Sequence, residues 1–308
     1  MEASTVYYTD FRCPVGTSLT DKLRRLCIAA GIKNIDMEGK FVAIKMHFGE
    51  LGNLAYLRPN YAKVVADLCK EQGGMPFLTD CNTLYPGSRK NALEHLTCAQ
   101  LNGFWPMTTG CQVIIADGLR GTDEVEVPVP NGEYCKTARI GRAVMDADIF
   151  ISLAHFKGHE HAGFGGALKQ LSIGCASSYG KAYIHGAGEP EKIWTADHDS
   201  FLDAMADAAS SVAEYFKDKT VFINVMKNMS VDCDCCAVAE DPCMADIGIL
   251  APLDPIAVDQ ACLDLVYASD DPGRDHLVER IESLNGVRTV ESAAALGFGT
   301  REYEFVEL

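Results

Sequence analysis

The sequence predicts an α/β protein with a mostly parallel open sheet and helices on both faces. Short runs rich in β-branched and aromatic residues alternate with segments whose apolar residues recur at helical spacing. The run 148–154 (DIFISLA) is almost wholly apolar, which is typical of a strand covered on both faces. The 308 residues suffice for one large domain. Two α/β subdomains, 1–186 and 200–308 around a polar loop at 187–199, are the alternative.

Seven runs are predicted as strands because they concentrate Val, Ile, Phe and Tyr. They are residues 5–8, 41–48, 76–80, 112–116, 148–154, 220–225 and 247–250. Helical spacing predicts eight helices, at residues 19–30, 59–72, 89–102, 138–145, 200–216, 254–267, 273–284 and 290–296. Ser18 or Thr20 caps the first helix, Pro59 begins the second, and Asp254 caps the sixth.

The composition excludes some partners. The chain has 27 Lys and Arg against 43 Asp and Glu, so its net charge is −16. Such an acidic chain is unsuited to non-specific nucleic-acid binding or to anionic membranes. No apolar run reaches the roughly eighteen residues of a membrane helix, and the first ten residues do not resemble a signal peptide. The 13 scattered Cys indicate reduced thiols in a cytoplasmic protein rather than disulfides.

Polar residues follow several of the predicted strands. In open α/β sheets, ligands bind in a crevice at the carboxyl ends of the strands. His47 ends one strand, Asp80 ends the next, and Arg89 follows in a polar turn before a helix. We therefore expect His47, Asp80 and Arg89 to line a cofactor-binding crevice, although each also fits a structural role.

The segment 155–169 concentrates chemistry-bearing residues. His155, His159 and His161 lie within seven positions, and a glycine pair and a lysine follow. Histidine moves protons or binds metals near neutral pH. Backbone N–H groups of Gly165 and Gly166 before a helix are expected to hold an anion or phosphate, with Lys169 beside them. The alternative is a glycine-rich turn with solvated histidines.

The second cluster is Asp232-Cys233-Asp234-Cys235-Cys236. Thiolates bind zinc, copper and iron–sulfur clusters, although this spacing matches neither a zinc finger nor a ferredoxin. On an extended segment the cysteines would point to one side and the acids to the other. We expect an iron–sulfur cluster or another thiophilic metal here, and the alternative is an incidental Cys-rich loop.

Long motifs resemble one uncharacterised family. The motifs are KMHFGELGN, PFLTDCNTLYPGSRKNALEHL, HFKGHEHAGFGGALKQLSIG, DCDCC and DIGILAPLDPIAVDQACLDL. Together they resemble domain-of-unknown-function family 362, whose members are often labelled iron–sulfur centre proteins. Members commonly carry an inserted ferredoxin module, but the corresponding stretch near 187–200 contains no Cys here. The resemblance therefore implies that any cluster would use residues 232–236.

A shorter stretch is similar to the nickel-pincer lactate racemases. In those enzymes a His and an Ala-Gly-Phe segment precede a glycine pair and a Lys that carries a covalent pyridinium cofactor. The similarity implies that His159 is a proton-transfer base, Lys169 the anchor of an organic nickel-pincer-type cofactor, and His185 a metal ligand. The other catalytic His motif of the racemases has no counterpart near residues 82–85, and Leu168 replaces the residue normally before the Lys.

Three functions follow as expectations. The first is a metal- or iron–sulfur-binding redox protein that takes a small molecule and exchanges electrons with a separate ferredoxin-type carrier. The second is a racemase- or isomerase-like enzyme with a Lys169-anchored cofactor or an organic cofactor held by a metal on His185. The third is a non-enzymatic module that binds an anion at Gly165 and Gly166. The expected catalytic residues are His159 and Lys169. The expected metal ligands are His161, His185, Cys233, Cys235 and Cys236.

Overall fold

The computed structural model describes residues 2–308. Its strands are β1 (Ser4–Thr9), β2 (Phe41–Lys45), β3 (Met75–Asp80), β4 (Gln112–Ile115), β5 (Glu124–Pro128), β6 (Thr137–Gly141), β7 (Ile149–His155), β8 (Lys157–His159), β9 (Gly163–Gly165), β10 (Thr220–Met226), β11 (Gly248–Ala251) and β12 (Tyr303–Glu307). Its α-helices are α1 (Leu19–Ala29), α2 (Pro59–Lys70), α3 (Ala92–Leu101), α4 (Pro106–Thr109), α5 (Arg142–Met145), α6 (Ala167–Lys169), α7 (Ser178–His185), α8 (His198–Tyr215), α9 (Pro255–Tyr267), α10 (Arg274–Ser283) and α11 (Arg288–Leu296).

Eight strands form the central sheet, in the order β12-β1-β11-β10-β7-β2-β3-β4. The strands from β10 to β4 are parallel to one another, and β12 is parallel to β1. Only β11 runs antiparallel to both of its neighbours. The predicted α/β fold with a mostly parallel sheet is confirmed. Strands from before residue 186 and after residue 200 lie in this same sheet.

Apolar side chains cover both faces of the sheet, and β7 shows why its sequence is continuously apolar. Ile149, Ile151 and Leu153 belong to the core cluster that also contains residues of α1 and α2. Phe150 belongs to the opposite cluster with residues of α8 and α9, and it stacks on Phe216 at a centroid distance of 5.4 Å. Successive side chains of a strand point to opposite faces, so a strand buried on both faces has apolar residues at most positions.

The prediction of a helix at 138–145 is wrong. Residues Thr137–Gly141 form β6, which pairs antiparallel with β5, and only Arg142–Met145 are helical. Ala and Arg favour helices, but the pairing partner at Glu124–Pro128 overrides that local preference. The predicted strand 41–48 ends at Lys45, and β5, β8, β9, α4, α7 and β12 were not predicted.

The local signals at helix ends were more reliable. Ser18 accepts from the backbone N–H of Asp21 and forms a capping box at α1. Asp254 accepts from the N–H groups of Ile256 and Ala257 at the start of α9, as predicted. None of the helices in the described part of the chain is long and apolar enough to cross a membrane.

Candidate functional site

A cavity of about 470 Å³ lies at the carboxyl ends of β2, β3 and β7. The last residues of these strands, Lys45, Asp80 and His155, all line it. It is the crevice that the sequence predicts from the strand-end rule. Of the predicted site residues, all but Cys233 line it: His47, Asp80, Arg89, His159, His161, Gly165, Gly166, Lys169, His185, Cys235 and Cys236. Their chemical roles stay predictions.

The glycine-rich segment is a β-hairpin rather than a loop. Strands β8 and β9 pair antiparallel from Lys157 opposite Gly165 to His159 opposite Gly163. Gly158 lets the cysteine segment pack directly on this hairpin, because a Cβ at Gly158 would lie 2.3 Å from the carbonyl oxygen of Val231. The backbone N–H of Gly158 also donates to Ser230 O at 2.7 Å. This contact brings the histidine and cysteine clusters together.

Donor atoms suited to a metal ion meet where these clusters touch. One ligand atom each of His159, Glu160, Cys233 and Cys235 all lie within 4.8 Å of one another. The Glu160 carboxylate accepts from the backbone N–H of Cys233 at 3.0 Å and from the Cys236 thiol at 3.2 Å. Burial raises the pKa of the Cys233 thiol well above its usual range. These residues can hold a metal ion.

The cysteine segment is a turn, so the predicted alternation of Cys and Asp on an extended segment is wrong. The N–H of Cys236 donates to Cys233 O at 3.0 Å, and the N–H of Cys235 donates to the Cys233 sulfur at 3.4 Å. The Cys233 thiol lies only 3.5 Å from Asp234 Oδ1. Asp232 points elsewhere and pairs with Arg280 at 3.2 Å. These internal hydrogen bonds hold the segment in a tight turn. An extended segment would instead need a neighbouring strand to satisfy its backbone groups.

A buried carboxylate, Asp234, anchors this turn to the end of β7 and to β8. Its Oδ1 lies 3.1 Å from Lys157 Nζ, and its Oδ2 lies 3.1 Å from His155 Nδ1. Burial alone would raise the pKa of Asp234, but the Lys157 ammonium, His47 and His155 hold it well below its usual range. Asp234 is therefore ionised and fixed in place.

The hydrogen bonds of His159 and His185 have opposite polarity. His159 Nδ1 accepts from the backbone N–H groups of His161 and Ala162 at 3.1 and 3.0 Å. Burial, with Lys169 and Lys157 nearby, lowers the pKa of His159 well below its usual range. A neutral ring that accepts at Nδ1 carries its proton on Nε2. His159 therefore presents an N–H toward the Cys235 sulfur, 4.0 Å away.

His185 instead donates from Nδ1 to Lys181 O at 2.8 Å, which leaves the Nε2 lone pair of the neutral ring free. Burial lowers its pKa to about 4. A metal-binding histidine usually donates its second ring N–H to a carbonyl or carboxylate. His185 has this polarity, and His161, whose ring is exposed, lies on the same cavity.

Arg89 connects the cysteine turn to Glu50 and Tyr85. Its Nε donates to Glu50 at 3.0 Å, and its Nη2 donates to Tyr85 Oη and to Cys235 O, both at 3.1 Å. The Arg89–Glu50 pair is buried. Arg89 therefore positions Cys235, and its predicted cofactor contact stays a prediction.

Two more predicted residues, Asp80 and His47, line the cavity. Asp80 Oδ1 pairs with Lys45 Nζ at 2.9 Å, and its Oδ2 lies 3.6 Å from His95 Nε2. His47 Nδ1 accepts from Gly49 N–H at 2.9 Å, so the neutral ring carries its proton on Nε2. This Nε2 is buried and has no hydrogen-bond partner among the described residues. It is a donor available to a ligand.

A protein carboxylate holds the N–H groups that directly follow the glycine pair. The N–H groups of Ala167 and Leu168, at the start of α6, donate to the two oxygens of Asp259 at 2.7 and 2.9 Å. A Cβ at Gly166 would lie 2.3 Å from Asp259 Oδ1, so glycine permits this approach. A protein carboxylate therefore occupies the first two N–H groups of α6, and anion binding at the N–H groups of Gly165 and Gly166 stays a prediction.

Several residues of the site were missed by sequence reasoning. Glu160, Lys157, Lys45 and Lys181 line the cavity, and Trp194 does so from the loop at 187–199. A signal existed for Glu160 and Lys157, because both lie inside the predicted histidine cluster. Lys45 precedes a predicted site residue by two positions, but nothing in the sequence links Lys181 or Trp194 to the cavity.

Residues 42–264 match the family described as Domain of unknown function (DUF362). This range is more than half of the chain, so the chain belongs to that family, as its motifs indicated. A thylakoid-associated protein of Synechocystis sp. is 26% identical over 166 residues, which are 53% of this chain and 44% of that protein. The chain spans less than half the length of this relative.

Two solved structures share parts of the fold at low similarity. One is the lactate racemase apoprotein of Thermoanaerobacterium thermosaccharolyticum, with 15% identity, a TM-score of 0.43, and coverage of 71% of this chain and 50% of that chain. The other is a Thermotoga maritima protein, with 13% identity, a TM-score of 0.44, and coverage of 90% and 58%.

Replacement of Asp259 tests its cap on α6. In Asp259→Asn only one side-chain oxygen remains for Ala167 and Leu168, so we expect the free energy of unfolding to fall by about 1–3 kcal/mol. Urea denaturation at neutral pH measures this change. The exposed Asp270→Asn is the control and should change stability little. Equal stability of the two variants would contradict the cap.

The same residue predicts a dependence on pH. Burial raises the pKa of Asp259 from 3.8 to about 6. The folded state therefore binds the proton more tightly, and the stability that this group contributes below pH 3.8 is lost as the pH rises through about 6. The difference in unfolding free energy between wild type and Asp259→Asn should shrink over this range and then level off. A constant difference would contradict the raised pKa.

Proposed function

We propose that this protein is a metal-dependent enzyme that binds a thiophilic divalent ion at Cys233, Cys235 and Glu160, beside a cavity for a small-molecule substrate. The observation that carries the proposal is the close approach of these donor atoms, within 4.8 Å of one another together with His159. Two thiols and a carboxylate are a ligand set that zinc and ferrous iron accept.

The hydrogen bonds of His159 support a role beside the ion rather than on it. Ligation through Nε2 would require a proton on Nδ1, but Nδ1 accepts two backbone N–H groups. With its proton on Nε2, His159 instead donates toward the sulfur of Cys235 or toward a bound ligand. This supports a role for His159 as a hydrogen-bond donor beside the ion over a role as ligand.

The ligand set of two thiols and one carboxylate favours a single metal ion over an iron–sulfur cluster. Clusters are usually held by four thiolates, whereas the close group contains only two thiols and Cys236 contacts Glu160 from the side. Three protein ligands leave a coordination position for a substrate or water, as in catalytic zinc sites, where the ion acts as a Lewis acid. Electron exchange with a ferredoxin-type carrier belongs to the cluster alternative.

The double variant Cys233→Ser/Cys235→Ser tests the site. Protein made anaerobically with ample metal should hold about one thiophilic ion per chain, and the variant should lose most of it because serine is a poor ligand for soft metals. Elemental analysis gives the metal content, and a thiolate-to-metal absorption band after cobalt substitution reports the ligands.

The matched control is Cys13→Ser/Cys243→Ser, which removes two thiols outside the close group. It should keep the metal and the absorption band. Wild-type protein with less than roughly a tenth of an ion per chain, or equal metal content in both double variants, would contradict the proposed site.

The amine of Lys169 supports a second candidate, an enzyme with a covalently anchored organic cofactor. Lys169 Nζ has no carboxylate partner within 4.0 Å in the described part of the chain, and its one hydrogen-bond contact is the Cys233 sulfur at 3.8 Å. Because His185 Nδ1 donates to Lys181 O, the Nε2 lone pair of the neutral ring fits a metal ligand. An anchored cofactor of the nickel-pincer type, as in the lactate racemases, would use both residues.

Intact mass tests this candidate. Wild-type protein purified from its native cells should be heavier than its sequence, whereas Lys169→Arg should match its sequence mass, because a guanidinium keeps the charge but not the amine nucleophile. Exposed Lys217→Arg is the control and should retain the added mass. A wild-type mass equal to the sequence mass would overturn the anchored cofactor and leave the metal proposal standing.

A further inference from the structure

The ammonium groups of the cavity are not equally balanced by carboxylates. Lys45 pairs with Asp80 at 2.9 Å, and Lys157 pairs with Asp234 at 3.1 Å. Lys181 also lines the cavity and is 93% buried, but no carboxylate oxygen of the described residues lies within 4.0 Å of its Nζ. A buried charge without a partner is costly, so its position calls for an explanation.

Lys181 has donors to spare. Its Nζ makes one hydrogen bond in the described part of the chain, to Ala176 O at 2.6 Å. An ammonium offers three N–H donors, so two have no protein acceptor. The buried Asp117 does not neutralise it at close range, because that carboxylate accepts from Asn82 and lies beyond 4.0 Å. The interior of the cavity thus presents donors and positive charge that protein groups leave unmatched.

Two other cavity residues also contribute unmatched donors or positive charge. Among the described residues, His47 Nε2 is a buried donor without a partner, and Lys169 is a second ammonium without a carboxylate. The N–H groups of Ala167 and Leu168 at the start of α6 do not serve in their place, because Asp259 accepts from both. The unmatched donors therefore come from side chains of separate elements that meet only in the cavity.

Apolar side chains also line the cavity. Trp194 is 79% exposed while lining the cavity, and Phe201 stacks on His185 at a centroid distance of 4.8 Å. The apolar side chains of the lining are Leu84, Pro86, Ile173, Ile193, Trp194 and Phe201. A volume of about 470 Å³ suits an organic molecule rather than an inorganic anion alone.

We propose that the cavity binds an organic anion, with its carboxylate or phosphate group on Lys181 and its apolar body against Trp194. The inference rests on the proposed function, because it names the class of substrate that the same cavity would bind. Lys181 is then a specificity-determining residue, because a neutral molecule of the same shape would leave its two free donors unmatched.

Trp194 provides the readout. The chain has only two tryptophans, so in a Trp105→Phe background the fluorescence is that of Trp194. The probes are phenyl phosphate and phenylacetate as organic anions, benzyl alcohol as the neutral molecule with the same ring, and inorganic phosphate as an anion without a body. We expect a saturable change of Trp194 fluorescence with at least one organic anion. Benzyl alcohol and inorganic phosphate should bind at least about tenfold more weakly. The tighter of phenyl phosphate and phenylacetate identifies the anionic group.

Two matched variants complete the experiment. Lys181→Met removes the charge at similar length and should weaken binding of the organic anion by at least about tenfold, whereas exposed Lys217→Met should not change it. If Lys181→Met does not fold, Lys181→Gln replaces it. Equal affinities of the Lys181 and Lys217 variants, benzyl alcohol binding as tightly as the anions, or no saturable change with either organic anion would overturn the proposal.

Metal content is measured in the same samples, which separates the two proposals. Loss of anion binding in Lys181→Met with metal content unchanged supports the anion subsite and leaves the metal site intact. Anion binding in a protein that holds no metal contradicts the proposed function alone. Bound metal with no affinity for either organic anion contradicts only this inference.

Discussion

The candidate site depends on the buried ion pair between Asp234 and Lys157. It joins the cysteine turn to strand β8 at 3.1 Å, and His155 at the end of β7 contacts the other carboxylate oxygen. Burial alone would lower the pKa of Lys157, but the Asp234 carboxylate raises it above its usual range. Because removal of one partner would leave a buried charge uncompensated, such a pair is costly to break. It therefore fixes the distance between the thiols of the turn and the histidines of the hairpin.

Ligands bind at the carboxyl ends of parallel strands, and this rule explains how much of the site could be predicted from the sequence. Strands β2, β3 and β7 were recognisable because they are short apolar runs, and their carboxyl ends had to share one edge of a parallel sheet. That argument placed His47 and Asp80 in one crevice with the histidine cluster, and the structure brings them together. The hairpin β8–β9 was missed because its glycines carry no strand pattern, and its contact with the cysteine segment depends on Gly158 admitting the Val231 backbone.

The finer chemistry depends on atoms that lie far apart in sequence. His159 and His185 look alike in the sequence, yet one accepts from two backbone N–H groups at Nδ1 and the other donates to a carbonyl. That difference leaves the Nε2 lone pair available in the neutral ring of His185 but not in that of His159. The occupation of the α6 N–H groups by Asp259, 92 positions from Ala167, is likewise visible only in three dimensions. Sequence spacing identifies residue types but not which lone pairs are free.

Lys169 connects the two candidate functions. Its Nζ lies 3.8 Å from the Cys233 sulfur and belongs to the same cavity as the free Nε2 of His185. An ammonium at that position stabilises a thiolate at Cys233, which is the form that binds a soft metal. If the amine instead carries a covalent group, that positive charge beside Cys233 is lost, and the thiol, whose pKa burial already raises, is harder to ionise. Metal binding by the cysteine turn and covalent modification of Lys169 therefore oppose each other unless the attached group itself supplies the positive charge.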